Sequence, residues 1–165
     1  MSRTGLEVFD ATVQKTHEWL KALMEELGWQ EDRQRAYLAL RAVLHALRDR
    51  LPLREALHLG AQLPMLIRGF YYEGWNPTHT PLKERHLEEF LARVQHAFKR
   101  EGQIDPRKYA EMAQRQGFVV MEDRINPEEV ARAVFKVLAR HVTAGEIHDV
   151  VQSLPVELRG LWPAT

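Results

Sequence analysis

Glu55-x-x-His58 has residue types and a spacing that suit metal ligation. Residues three apart on a helix share a face, and helical di-iron proteins set a glutamate and a histidine in this way. A working site of that kind needs two such pairs and two more carboxylates. Glu146 and Asp149 repeat the spacing, with a second acid in place of the imidazole. Each glutamate also has a simpler duty. Thr143-Ala144-Gly145-Glu146 reads as a capping box, and Glu55 falls in the first turn of its own helix, where the dipole favours an acid. The simpler duties are preferred, and no metal or other cofactor is assigned.

Other chemistry is sparse. The 8 histidines make no His-Glu-x-x-His pattern, and there are no cysteines. Thiolate nucleophiles, disulfides and Cys-type zinc sites are therefore absent together. Ser2 and Ser153 lack the context of a nucleophile elbow, and no glycine-rich phosphate loop is present. No catalytic residue is assigned, and the reading leans against an enzyme without settling it. His17, His86 and His96 sit among charged residues and read as surface positions. His45 and Asp49 are one helical turn apart and can pair. Arg33, Arg35, Arg41, Arg48, Arg50 and Arg54 concentrate positive charge, which a DNA reader would need, but Glu31, Asp32 and Asp49 dilute it, so a solvated helix face is expected.

The residues with most to offer a ligand or partner are Arg68, Arg159, Tyr71, Tyr72, Trp75 and Trp162. An arginine in the last turn before a glycine bonds the final carbonyls, and a pair of them would also make an anion clamp. Large aromatics with polar handles suit interfaces and equally suit a plug between two halves of a fold.

The bulk composition frames these candidates. Lys+Arg and Asp+Glu both number 23, so the 165-residue chain has no net charge and no surplus to bind polyanions. With 45% apolar residues it can bury a core. The N-terminus lacks the apolar stretch of a signal peptide, and no apolar run spans a bilayer. A soluble cytoplasmic protein is expected.

Helical periodicity dominates. Leu6, Phe9, Val13, Thr16, Leu20, Leu23 and Leu27 form one face, and Gly28 suits the helix end. Asp32 caps a second helix carrying Leu40, Leu44, Leu47 and Leu51. Pro52 takes the first turn of a shorter helix reaching about Gln62, and Pro64 opens another that Gly69 is expected to finish. After a linker from Asn76 to Thr80, Thr80-Pro81 is expected to start a long helix that presents Leu87, Phe90, Leu91, Val94, Ala97 and Phe98. Asp105-Pro106 begins a short helix that Gly117 stops, and Phe118 to Met121 is an ordered connection. Asn126-Pro127 starts a helix with Val130, Val134, Leu138 and Val142, and a last short helix begins at Pro155.

The chain also repeats itself. Leu63-Pro64-Met65-Leu66-Ile67-Arg68-Gly69 returns as Leu154-Pro155-Val156-Glu157-Leu158-Arg159-Gly160, and at a shift of 91 residues 9 of 31 positions from Arg41 to Tyr71 are identical. Chance would supply about two at ordinary residue frequencies. Upstream the matching shift is 81, so the second half carries about ten extra residues near Gly117 to Arg124. The expectation is an all-α protein of two tandem helical repeats, residues 4–76 and 80–163, packed about a pseudo-two-fold axis in one compact domain. Each repeat alone is thin in core for its size.

Ala36-Tyr37-x-Ala39-Leu40-Arg41-Ala42-Val43-Leu44, Leu63-Pro64-x-x-Ile67-Arg68-Gly69-x-Tyr71-Tyr72-Glu73-Gly74-Trp75 and Leu154-Pro155-x-x-Leu158-Arg159-x-Leu161-Trp162 together resemble the bacterial family called domain of unknown function 2267. Tyr71 to Trp75 is the most specific part, and Gly102 to Arg124 is less like the family pattern. The resemblance implies an all-helical fold and a bacterial source, and it implies no activity. The leading expectation is a non-enzymatic structural or protein-interaction module, self-associating or holding a protein partner. A small-ligand or anion-binding protein using the inter-repeat groove comes second, and a DNA-binding regulator third.

Overall fold

A computed structural model describes residues 2–102 and 125–164. The expected Asp105–Gly117 helix, the Phe118–Met121 connection and the extra residues before Arg124 fall outside them.

Among the described residues there are eight α-helices and no strand. Helix α1 spans Glu7–Leu27 and ends at Gly28, whose φ of 67° is the left-handed conformation that a residue without Cβ adopts freely. Asp32 accepts the Arg35 N–H at 3.1 Å and starts α2, Arg33–Arg50. Helix α3, Leu53–Ala61, and helix α4, Met65–Tyr72, follow, and a 3-10 turn at Pro77–His79 leads to α5, Leu87–Gly102. Asn126 caps α6, Pro127–His141, with Pro127 in its first turn, and Thr143 caps α7, Ala144–Ser153. Helix α8 is the single turn Val156–Arg159.

The four long helices form a ring in which α1 packs on α2, α2 on α5, α5 on α6 and α6 on α1. Each brings an apolar stripe to one continuous core. Leu23, Leu44, Leu47, Val94, Val134 and Leu138 are fully buried there. The short helices sit at the ends: α4 packs on α1 and α2, α8 on α5, and α3 meets α7 directly. No helix among the described residues is long and apolar enough to cross a membrane.

Several local expectations are corrected. Thr80-Pro81 does not start α5, which begins at Leu87. The intervening backbone is tied to the end of α2, with Leu82 N–H donating to Asp49 O at 2.9 Å and Arg50 Nε to Glu84 O at 2.6 Å. Gly69 does not finish α4; the helix runs on through Tyr72 because Phe70 and Tyr71 continue its buried face. Pro52 stands one residue earlier than expected, at the cap of α3. At the start of α1, Leu6, Val8 and Phe9 are exposed, although Leu6 and Phe9 belong to the expected apolar face.

Candidate functional site

Each Leu-Pro step joins two short helices at a corner. At the first corner the last carbonyls of α3 lack intrahelical donors. Arg68 reaches back across Pro64 and supplies them, with Nε bonding Gly60 O at 2.9 Å and Nη2 bonding Ala61 O at 3.1 Å and Leu63 O at 2.9 Å. At the second corner Arg159 Nη2 bonds Gln152 O at 3.1 Å and Nε bonds Leu154 O at 3.0 Å. Both arginines therefore close the helix before their own, where the sequence reading had them closing their own. Their donors face main-chain oxygens, the arrangement expected of a helix stop.

The aromatic residues divide between core and rim. Tyr71 is fully buried, and its hydroxyl donates to Ala56 O at 2.7 Å. Burial pushes that phenol far above its ordinary value, so the donor is always present. Trp162 occupies the matching place at the second corner and stacks on Phe135 at 4.1 Å, while its indole Nε1 is buried without a partner. Tyr72 is half-buried, tilted against Tyr71 and stacked on Trp75, and Trp75 Nε1 meets Thr80 Oγ1 at 3.3 Å. Tyr72 lies across Gly60, where an added Cβ would fall 2.1 Å from the tyrosine oxygen. Only a residue without Cβ admits the ring in that position.

Of the arginines expected on a solvated face, Arg33 and Arg54 are exposed, but two on α2 are not. Arg41 and Arg48 are buried, because the ends of α4 and α2 converge on them. Arg48 bonds Tyr71 O at 2.7 Å, Glu73 O at 3.0 Å and Asp49 at 2.8 Å, while Arg41 pairs with Glu73 at 3.0 Å. His45 does not pair with Asp49; its Nε2 lies 2.6 Å from Phe70 O. Burial, then the charges of Arg48 and Arg41, hold His45 below its ordinary pKa against the opposing Phe70 carbonyl and Asp49. A cleft of about 410 Å³ opens here between α2 and α5, and Arg93, also on its wall, pairs with Glu84.

The third cluster lies on the seam of α3 and α7. Glu55, His58 and Glu146 each point one ligating atom to a common place, all within 4.8 Å of one another. The expected capping box is only half made. Thr143 Oγ1 accepts the Glu146 N–H at 3.3 Å, but the Thr143 N–H donates to Gln62 Oε1 at 2.9 Å. Gln62 has taken the acceptor role intended for Glu146, so that carboxyl turns inward towards Glu55. Glu146 is only 8% exposed, and its Oε1 and Oε2 of Glu55 are buried with no hydrogen-bond partner. Burial first, and then the Glu55 charge, raise the Glu146 carboxyl above the ordinary carboxylate range.

Sequence reasoning saw Glu55, His58 and Glu146 but gave the acids simpler work, and it passed over Gln62 and Gly60. Gln62 had no local signal, because its partner is 81 residues away. Gly60 had one, an isolated glycine within a helical pattern.

Comparison with curated proteins finds no match. A sequence model of uncharacterised conserved proteins, DUF2267, matches residues 16–161, and the chain belongs to that family.

Proposed function

We propose that this is a non-enzymatic interaction module, built of two tandem helical repeats, that self-associates through the apolar face of α3 and α4. The repeat reading rests on register. At the shift of 91 residues, Arg68 with its oxygens on Ala61 and Leu63 corresponds to Arg159 with its oxygens on Gln152 and Leu154. The helix pairings are exchanged in the same way: α1 on α2 corresponds to α5 on α6, α2 on α5 to α6 on α1, and α1 on α4 to α5 on α8. Helices α3 and α7 would then meet at the two-fold axis.

One observation carries the functional reading. Leu53, Leu57, Met65 and Leu66 are large, apolar and exposed on the first corner. Tyr72 joins them, its hydroxyl 3.5 Å from Leu57 O. The Leu66 N–H donates to Thr12 Oγ1 at 2.9 Å, which brings the exposed Val8 and Phe9 of α1 alongside. Grouped exposed apolar side chains mark association surfaces. With no net charge, two copies do not repel, which favours a second copy as the occupant.

Sedimentation equilibrium of the full chain tests this. The wild type is expected to form a concentration-dependent dimer, and Leu57→Glu to abolish it while melting like the wild type at dilutions where the wild type is monomeric. A wild-type monomer at every concentration would overturn the proposal.

A further inference from the structure

We propose that Glu55, His58 and Glu146 form a binding site for one divalent transition-metal ion on the seam of α3 and α7. The donors are two carboxylates and an imidazole, a set that suits zinc, manganese or iron better than calcium or magnesium, which favour oxygen ligands alone. Glu55 and His58 are three residues apart on one face of α3, with His58 Nδ1 at 3.8 Å from Glu55 Oε1. Glu146 comes from the facing helix, so the site is assembled by tertiary structure and is absent from the unfolded chain. Ligand atoms lie about 2.0–2.2 Å from a bound zinc, so pairs of them span about 3–4 Å around it. The present separations, all within 4.8 Å, need only small side-chain rotations to close.

Two features separate this cluster from ordinary surface acids. Glu146 is more than nine-tenths buried, its Oε1 has no donor, and its carboxyl lies against that of Glu55, so that only a shared proton or a cation can bridge the two. A buried polar atom without a partner is costly, and two carboxyls facing each other there repel. A cation between them removes both penalties. His58 provides the opening: its side chain is 48% exposed, so an ion has a route in and water completes its coordination. The site shares α3 with the apolar face proposed for self-association but uses none of that face's residues, and all its ligands come from one chain.

Isothermal titration of the metal-stripped full chain with Zn²⁺ and Mn²⁺, set beside His58→Ala and Glu146→Gln, decides the matter. One ion per chain is expected for at least one metal. His58→Ala should weaken binding at least tenfold, and Glu146→Gln should abolish it. The wild-type melting temperature should rise with metal, because the ion binds only the folded state. Without metal, Glu146→Gln should melt no lower than wild type, since it relieves the facing acids. If Glu146→Gln does not fold, the half-exposed His58 supplies the test by itself. Binding of neither metal, or equal binding by wild type and His58→Ala, would overturn the proposal.

Discussion

The two Leu-Pro corners share a skeleton and differ in their skin. Arg68 and Arg159 close the preceding helix through matching carbonyls, and Leu63 and Leu154 are both buried. Where the sequences part, the surfaces part too. At the places of Leu53, Leu57 and Leu66 the second corner has Ala144, His148 and Glu157. Glu157 has acquired its own task, accepting the Leu87 N–H at 2.7 Å to cap α5, whereas the Leu66 side chain stays exposed. Val156 is an exception, an exposed apolar residue at the place of Met65. Positions alike in both corners serve the fold, and the apolar residues confined to the first corner are the ones proposed for self-association.

The largest effect should come from removing a shared core position. Tyr71→Ala is expected to cost about 3–5 kcal/mol, as large-to-small changes of buried aromatics do, and Trp162→Ala a similar amount. Leu57→Ser, on the skin, should stay within about 0.5 kcal/mol. Denaturant unfolding of the three variants measures the contrast, and equal losses at Tyr71 and Leu57 would break it.

Next come the arginines. Arg68→Ala and Arg159→Ala should each cost about 1–2 kcal/mol, after allowing for the partial exposure of these bonds. Arg68 should show the larger loss because it serves three carbonyls to Arg159's two. Lysine should not restore either, since the planar fork is what spans several oxygens.

The caps differ as well. Thr143→Ala should cost about 1 kcal/mol, read as a lower melting temperature. At the matching place Pro52 makes no side-chain cap bond, so the first corner has no equivalent loss to show. An unchanged melting temperature would contradict the placement of Thr143.

The smallest effect is that of pH. His45 and His141 are both held below their ordinary value of 6.5, chiefly by burial. The folded state therefore resists a proton that the unfolded chain accepts. Their contribution to stability is complete above pH 6.5 and declines as the pH falls below it, until the depressed folded values are passed. His45→Gln should flatten that decline in a series of unfolding curves.

Much of the helical frame was legible in the sequence because its signals are local. Asp32, Asn126 and Thr143 each accept the N–H three residues on and so cap the helix that follows, and Gly28 stands directly after the last residue of α1. What was misread depends on distant partners. Thr80-Pro81 has the local form of a helix start, but hydrogen bonds to the end of α2 hold the residues that follow outside any helix. Arg41 and Arg48 look like surface charges until α4 folds over them. The candidate metal cluster was legible as spacing, but the capping box that argued against it is undone by Gln62 from another helix. A capping box is a local rule, and a long-range hydrogen bond set it aside.

Sedimentation equilibrium on two single variants tests the division of labour between skeleton and skin most directly. Leu57→Glu places a charge on the first corner, and Val156→Glu places one on the second, at a residue 76% exposed. The account predicts that the wild type and Val156→Glu dimerise alike while Leu57→Glu remains monomeric. Equal behaviour of the two variants would contradict it.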